Sequence, residues 1–132
     1  MKRKLLEKAN WLVGKYNQLL LKTHKHSFGI GSIREVFSQR KLDKLKKDAE
    51  GLSKEYAAYI RMYNEFLNSQ KGHTPEIHNL KHQFDIVSSM KAQATSMISD
   101  KEQRANLYIG AYFNTISIVV ALIAITLAIV IW

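Results

Sequence analysis

The amino-acid sequence predicts an all-α protein. An antiparallel coiled-coil helical hairpin and a packed N-terminal helix form a head, and the third helix continues into a single C-terminal transmembrane helix. Two observations predict this class. Apolar residues recur at alternating spacings of three and four, the period of an amphipathic helix, and residues 107–132 contain no Asp, Glu, Lys or Arg. The same two observations divide the chain into a basic head, residues 1–105, and a transmembrane helix, residues 106–132.

The first helix is predicted over residues 2–22. One broad apolar face predicts that it packs against other helices, and this face consists of Leu5, Leu6, Ala9, Leu12, Val13, Tyr16, Leu19 and Leu20. The following residues, 23–31, contain Gly29 and Gly31 and interrupt the pattern, so they are predicted to form a loop.

The second helix is predicted over residues 32–68. Ser32 and Glu35 have the spacing of a capping box, in which side chains satisfy the free backbone donors at a helix start. The predicted core positions then alternate without a break: Leu42, Leu45, Ala49, Leu52, Tyr56, Tyr59, Tyr63 and Phe66. Because this phase passes through Gly51 unchanged, one long helix is favoured, and a four-helix head hinged at Gly51 is the alternative. The tyrosine hydroxyls are expected to reach solvent.

The third helix is predicted from residue 75, since Thr74 is a suitable N-cap and Pro75 suits the first helical position. The core positions of its head section, residues 75–105, keep the same alternation, with Lys91 as the exception: Ile77, Leu80, Phe84, Val87, Ala94 and Ile98. Beyond them only the isolated Gly110 is unfavourable to a helix. The third helix is therefore predicted to run unbroken from the head into the apolar segment.

The apolar segment is long enough to cross a bilayer. Its 26 uncharged residues would extend about 39 Å as a helix, against a hydrocarbon core of about 30 Å. Tyr108 and Tyr112 are expected at one interface and Trp132 at the other. A buried core helix is the alternative, but so small a head cannot enclose it. Lys91, Lys101 and Arg104 flank only one side, which predicts a cytosolic head, a C-terminus on the far side and post-translational insertion as a tail anchor.

The net charge of +9 is concentrated in the first third of the chain. Residues 1–47 contain thirteen Lys or Arg and three acidic side chains, whereas residues 48–105 contain seven and eight. The topology brings the start of the second helix to the membrane side. A basic collar is therefore predicted to attract anionic lipid, with a solvated basic face as the equal alternative, and it consists of Arg34, Arg40, Lys41, Lys44 and Lys47.

Small and polar residues form a stripe along the apolar segment at spacings of four and three. This small-residue stripe consists of Gly110, Asn114, Ser117, Ala121, Ala124 and Ala128. Small residues and an amide are typical of faces where membrane helices associate, so a homo-oligomer is predicted. A water-filled pore lined by Asn114 and Ser117 is one alternative, and a chance distribution of common residues is the other.

A second candidate surface lies on the first helix, where spacings of four and three place an aromatic ring among lysines. This Trp11 patch consists of Lys4, Lys8, Trp11 and Lys15. Such a surface favours docking of a protein partner, including a second copy. Contact with a nucleic-acid backbone is a lesser alternative, and a surface without function is the third.

Little in the sequence indicates catalysis. The chain has no Cys, no phosphate-binding glycine loop and no nucleophile motif, so no enzymatic activity and no cofactor are expected. His78 and His82 are one helical turn apart and form a candidate metal pair, although this spacing without carboxylates is a poor predictor and solvated histidines are favoured.

Two classes of function remain. In the first, the chain is an oligomeric single-pass membrane protein that opens or disrupts the bilayer, as defence or toxin-like effectors do. In the second, it is a membrane anchor or accessory subunit that tethers a soluble partner complex. The polar residues of the apolar segment favour the first, and the Trp11 patch favours the second.

Overall fold

The computed structural model describes residues 2–25, 39–69 and 75–132 of the chain. They form three α-helices: α1 (Lys2–Lys25), α2 (Arg40–Ser69) and α3 (Pro75–Ile131). No strand occurs among these residues. The all-α class and the continuation of the third helix through the apolar segment are thus confirmed.

The helix boundaries differ from the prediction mainly at the start of α2. Gln39 has a φ of 47°, in the left-handed region, and its carbonyl oxygen accepts the Asp43 amide at 2.8 Å. The helix therefore begins at Arg40 rather than at residue 32, since a left-handed residue cannot continue a right-handed helix. The predicted capping box, Ser32 with Glu35, lies outside the described residues.

The other boundaries follow the prediction closely. Helix α2 continues through Gly51 without interruption, which confirms one long helix in place of a hinged pair. Helix α3 begins at Pro75, as its N-cap sequence predicts. Helix α1 runs to Lys25, past the predicted end at residue 22, and the Thr23 hydroxyl donates to the Leu19 carbonyl at 2.7 Å within its last turns.

The three helices of the head run in alternating directions. Lys46 at the start of α2 contacts Glu102 at 2.7 Å, and Tyr63 near its end stacks on Phe84 with ring centroids 4.7 Å apart, so α2 and α3 are antiparallel. Lys8 of α1 forms an ion pair with Glu55 of α2. Helix α1 packs along both other helices more extensively than these two pack on each other. The head is therefore a three-helix bundle in which α1 is a full member.

The core contains the positions that helical periodicity predicts. The buried side chains of the head core are Leu5, Ala9, Leu12, Tyr16, Leu19, Leu42, Leu45, Tyr56, Tyr59, Tyr63, Phe66, Leu80, Val87, Ala94 and Ile98. Phe84 packs against this cluster and lies within 6.4 Å, between ring centroids, of three tyrosines of α2. Each such ring pair contributes about 0.5–1.5 kcal/mol beyond its buried area, which strengthens the contact between α2 and α3.

The Tyr59 hydroxyl departs from the expectation that the tyrosine hydroxyls of α2 reach solvent, and Tyr16 of α1 resembles it. The hydroxyls of Tyr16 and Tyr59 are buried and have no hydrogen-bond partner among the described residues. Burial raises the pKa of each of these two tyrosines to about 12, because the phenolate would lose its hydration. Tyr56 instead shares a hydrogen bond of 2.7 Å with Ser88.

Lys91 lies at a core position of α3 for a specific reason. Its ammonium group lies 4.5 Å from the centroid of the Tyr56 ring, a cation–π distance. A long lysine side chain covers the edge of the aromatic cluster while its charge stays at the surface. Lys91, the exception in the predicted core pattern, therefore shields part of the aromatic cluster from solvent.

The core ends where the apolar segment begins. Ala105 is the last buried residue of α3, and from Asn106 to Trp132 every side chain is exposed except the half-buried Ile109. Among the described residues, α3 is the helix long and apolar enough to cross a membrane, and none of its most apolar window is buried inside the protein. This segment therefore leaves a largely apolar surface outside the bundle.

Candidate functional site

The small-residue stripe lies on the exposed part of α3. All six of its members, from Gly110 to Ala128, are exposed. The Ser117 hydroxyl donates to the Phe113 carbonyl at 2.9 Å, and Thr115 and Thr126 make equivalent bonds at 2.9 and 2.8 Å. These hydroxyls are satisfied within their own helix, so they can enter hydrocarbon at modest cost.

Asn114 differs from those three residues. Its side-chain amide makes no hydrogen bond with any described residue. An amide without a partner costs several kcal/mol in an apolar medium, on the order of 4–8 kcal/mol in a solvent that cannot hydrogen-bond. In a bilayer, this group therefore requires a partner from another molecule or from water.

The stripe faces away from the rest of the head. Gly110 follows the buried Ala105 by five residues, which is a rotation of about 140° around a helix with 3.6 residues per turn. Helices α1 and α2 cover the side of α3 on which Ala105 lies. A second helix can thus approach the stripe without meeting α1 or α2 of the same chain.

The face of α3 that carries the stripe continues toward the N-terminus of the helix, along the part of α3 that belongs to the head. Counting back 18 residues, or five turns of a helix with 3.6 residues per turn, from Gly110 and the next four members of the stripe gives small or polar residues that are all exposed, and they form the outer face of α3: Ala92, Ser96, Ser99, Gln103 and Asn106. A strict alternation of four and three does not predict this extension, because its first step back from Gly110 reaches the apolar Leu107. A repeat of 18 residues, which is five full turns, would have predicted it.

The basic collar is exposed where the structure describes it. Arg40, Lys41, Lys44 and Lys47 are exposed in the first turns of α2, and Arg34 lies outside the described residues. Their neighbour Lys46 donates to Glu102, and this hydrogen bond raises the pKa of Lys46. The structure adds Lys22 and Lys25, which are exposed at the C-terminal end of α1 and which the sequence analysis did not include.

The Trp11 patch lies at the border between α1 and α2. The Trp11 ring has Lys8 at 4.8 Å and Lys15 at 5.8 Å from its centroid, while Lys8 also pairs with Glu55 of α2. Trp11 is 44 % exposed and borders a groove of about 350 Å³ between the two helices. Lys4, the remaining member, is exposed one turn earlier.

The two candidate metal-binding histidines are solvent-exposed. His78 and His82 lie on the second and third turns of α3, far along the helix from the apolar segment. No group of three or more side chains able to hold a metal ion occurs in the part of the chain that the structure describes. The pair alone offers two ligands, fewer than the four of a structural zinc site.

Searches of protein-family models, curated proteins and solved structures gave no match to this chain.

Proposed function

We propose that this chain is a non-enzymatic, single-pass membrane protein that self-associates through the small-residue stripe, and that the assembled helices make the bilayer permeable. The observation that carries the proposal is the amide of Asn114, which has no hydrogen-bond partner among the described residues although it lies within the apolar segment. Association satisfies this amide through neighbouring copies, or through water that the copies enclose.

The proposed orientation places the head in the cytosol. Lys101 and Arg104 lie just before the apolar segment. Positive charge is retained on the cytosolic side of a membrane helix, so the far end of the apolar segment lies on the opposite side. The test is a reporter that is active only in the cytosol: fused to the N-terminus it gives signal, whereas signal from a C-terminal fusion would reverse the orientation.

Permeabilisation follows if the assembled stripes enclose water. Asn114 and Ser117 are one helical turn apart, so a ring of copies would place two polar layers along a pore. The rest of the stripe is Gly or Ala, which allows close helix packing. An effector of this design, in defence or as a toxin, acts by collapsing ion gradients.

The second candidate function is that of an anchor that tethers a soluble partner complex. The groove beside Trp11 favours it, because a partly exposed Trp held by two lysines is typical of interface anchor residues. In this case the apolar segment associates or stays monomeric without conducting ions.

The Asn114→Leu substitution separates these functions when oligomer size and vesicle leakage are measured on the same protein. In a dry helix interface the change removes hydrogen bonds worth about 0.6–2 kcal/mol, so assembly weakens modestly. In a wet pore it adds an apolar ring, so assembly persists while ion or dye leakage falls through dewetting. Thr115→Leu is the matched control, since Thr115 lies off the stripe and its hydroxyl is satisfied by Ala111.

Three outcomes decide the proposal. Leakage by wild type and Thr115→Leu that is lost in Asn114→Leu, with the oligomer intact, supports the pore. Assembled wild type that never leaks favours the anchor. A strictly monomeric wild type contradicts both the interface and the pore.

A further inference from the structure

The end of the head nearest the apolar segment collects basic side chains from all three helices. Lys8 of α1 contacts Glu55 of α2, and Lys22 lines the same groove as Lys47, so α1 and α2 are antiparallel. The C-terminal end of α1 therefore lies beside the start of α2. We call this end, formed by residues 22–25, 39–47 and 100–105, the base of the head.

The alignment of α2 along α3 shows how close the base lies to the start of the apolar segment. Lys46 contacts Glu102, and Arg40 precedes Lys46 by six residues, or about 9 Å along the helix. In an antiparallel pair the same distance along α3 leads from Glu102 to Tyr108. Arg40 is thus level with the tyrosine that is predicted to mark the membrane interface.

The base carries a strong excess of positive charge. It contains nine Lys or Arg and three Asp or Glu. Two of the three carboxylates are already paired, Asp100 with Arg104 at 3.1 Å and Glu102 with Lys46 at 2.7 Å. Lys25, Arg40 and Lys44 are exposed and have no acidic partner among the described residues.

We propose that the base of the head binds the anionic headgroups of the bilayer that the apolar segment enters. The positive charge of the base complements the anionic headgroups. Its position also favours this partner, because an apolar segment inserted in a bilayer would place the guanidinium and ammonium groups at the level of the lipid phosphates. The inference rests on the proposed insertion of the apolar segment, but it does not require self-association or leakage. Bound lipid would hold the head upright on the membrane and recruit the chain to anionic membranes.

The test uses the full chain, reconstituted from detergent into vesicles that contain equal amounts of phosphatidylcholine and phosphatidylglycerol with identical acyl chains. The lipids retained after extraction of the protein are counted by native mass spectrometry. Wild type is expected to retain an excess of phosphatidylglycerol. The triple substitution Lys25→Gln, Arg40→Gln, Lys44→Gln should reduce that excess at least about fivefold, the effect of one basic residue fully at the surface. High salt should act in the same direction.

A matched triple substitution controls for total charge. Lys54, Arg61 and Lys81 are exposed on parts of α2 and α3 farther from the apolar segment, so changing all three to Gln should leave the lipid preference intact. Circular dichroism checks that both variants fold. An equal loss in both variants, or no lipid preference in wild type, overturns the inference.

Two further outcomes are informative. Binding of a DNA duplex that depends on the same three residues, without lipid preference, assigns the base to nucleic acid and overturns the lipid assignment. A chain that does not float with pure phosphatidylcholine vesicles fails at insertion, which overturns the proposed function as well. Insertion without preference for phosphatidylglycerol overturns only the present inference.

Discussion

At the scale of single residues, the two buried tyrosine hydroxyls without partners lower the stability of the head. Tyr59→Phe removes an unsatisfied polar group and keeps the ring, so it should raise the free energy of unfolding by about 1 kcal/mol. Tyr56→Phe is the control, because it loses the bond to Ser88 and should lower stability by about 1 kcal/mol or less. Thermal unfolding in detergent, followed by circular dichroism, measures both changes.

The opposite sign for Tyr59→Phe would contradict this account. It would mean that the hydroxyl has a hydrogen-bond partner, such as a buried water molecule.

The buried hydroxyls of Tyr16 and Tyr59 predict how the stability of the head changes at alkaline pH. The folded head holds the pKa of Tyr16 and Tyr59 at about 12, above the ordinary value of 10. The folded state therefore binds more protons than the unfolded state above pH 10, and stability is lost as the pH rises from about 10 to about 12. We expect the midpoint of thermal unfolding to fall across this range. In a Tyr16→Phe, Tyr59→Phe double variant the fall should be smaller, and an equal fall would exclude these two groups as its cause.

At the scale of helices, periodicity was sufficient to predict most of the architecture. A core position is a local property of an amphipathic helix, so the apolar residues of the head core follow from spacing alone. The buried Thr23 does not, since it was predicted to lie in a loop. The start of α2 cannot be predicted from spacing, because it depends on the backbone conformation of Gln39, which no hydrophobic pattern encodes. The contact of Lys8 with Glu55 cannot be predicted from spacing either, because it depends on how two helices pack, and this contact places the Trp11 patch at a helix border.

Helix α2 provides a direct test of its own continuity at Gly51. A Cβ built on Gly51 meets no other atom within 4 Å, so Gly51→Ala introduces no clash. Alanine reduces the entropy lost on forming the helix, and the change should raise the free energy of unfolding by about 0.5–1 kcal/mol. Gly14→Ala in α1, which has the same open surroundings, is a matched control with the same expected gain. A loss at Gly51 alone in denaturant unfolding would indicate that its backbone is not helical and would restore the hinge.

At the scale of the whole molecule, the continuous helix α3 sets how the head and the apolar segment are arranged. The small-residue stripe could be found from the sequence, since its spacing is regular. The direction in which the stripe faces relative to the head could not be predicted from the sequence, because it depends on which side of α3 is covered by α1 and α2. With the direction known, the stripe and the outer face of α3 become one exposed surface from Ala92 to Ala128.

This surface predicts that self-association extends beyond the membrane. If copies pack along the stripe, their outer faces also meet, and Ser96→Arg with Ser99→Arg would place like charges against each other at that contact. The dissociation constant of the oligomer in neutral detergent should rise at least about tenfold, because like charges in an interface cost several kcal/mol. Gln93→Arg is the control: Gln93 is exposed but lies off this face, so it should leave the oligomer unchanged. Cross-linking and light scattering report the oligomer size. If the double variant assembles as well as wild type while Gly110→Leu does not, the contact is confined to the apolar segment and the heads stay apart.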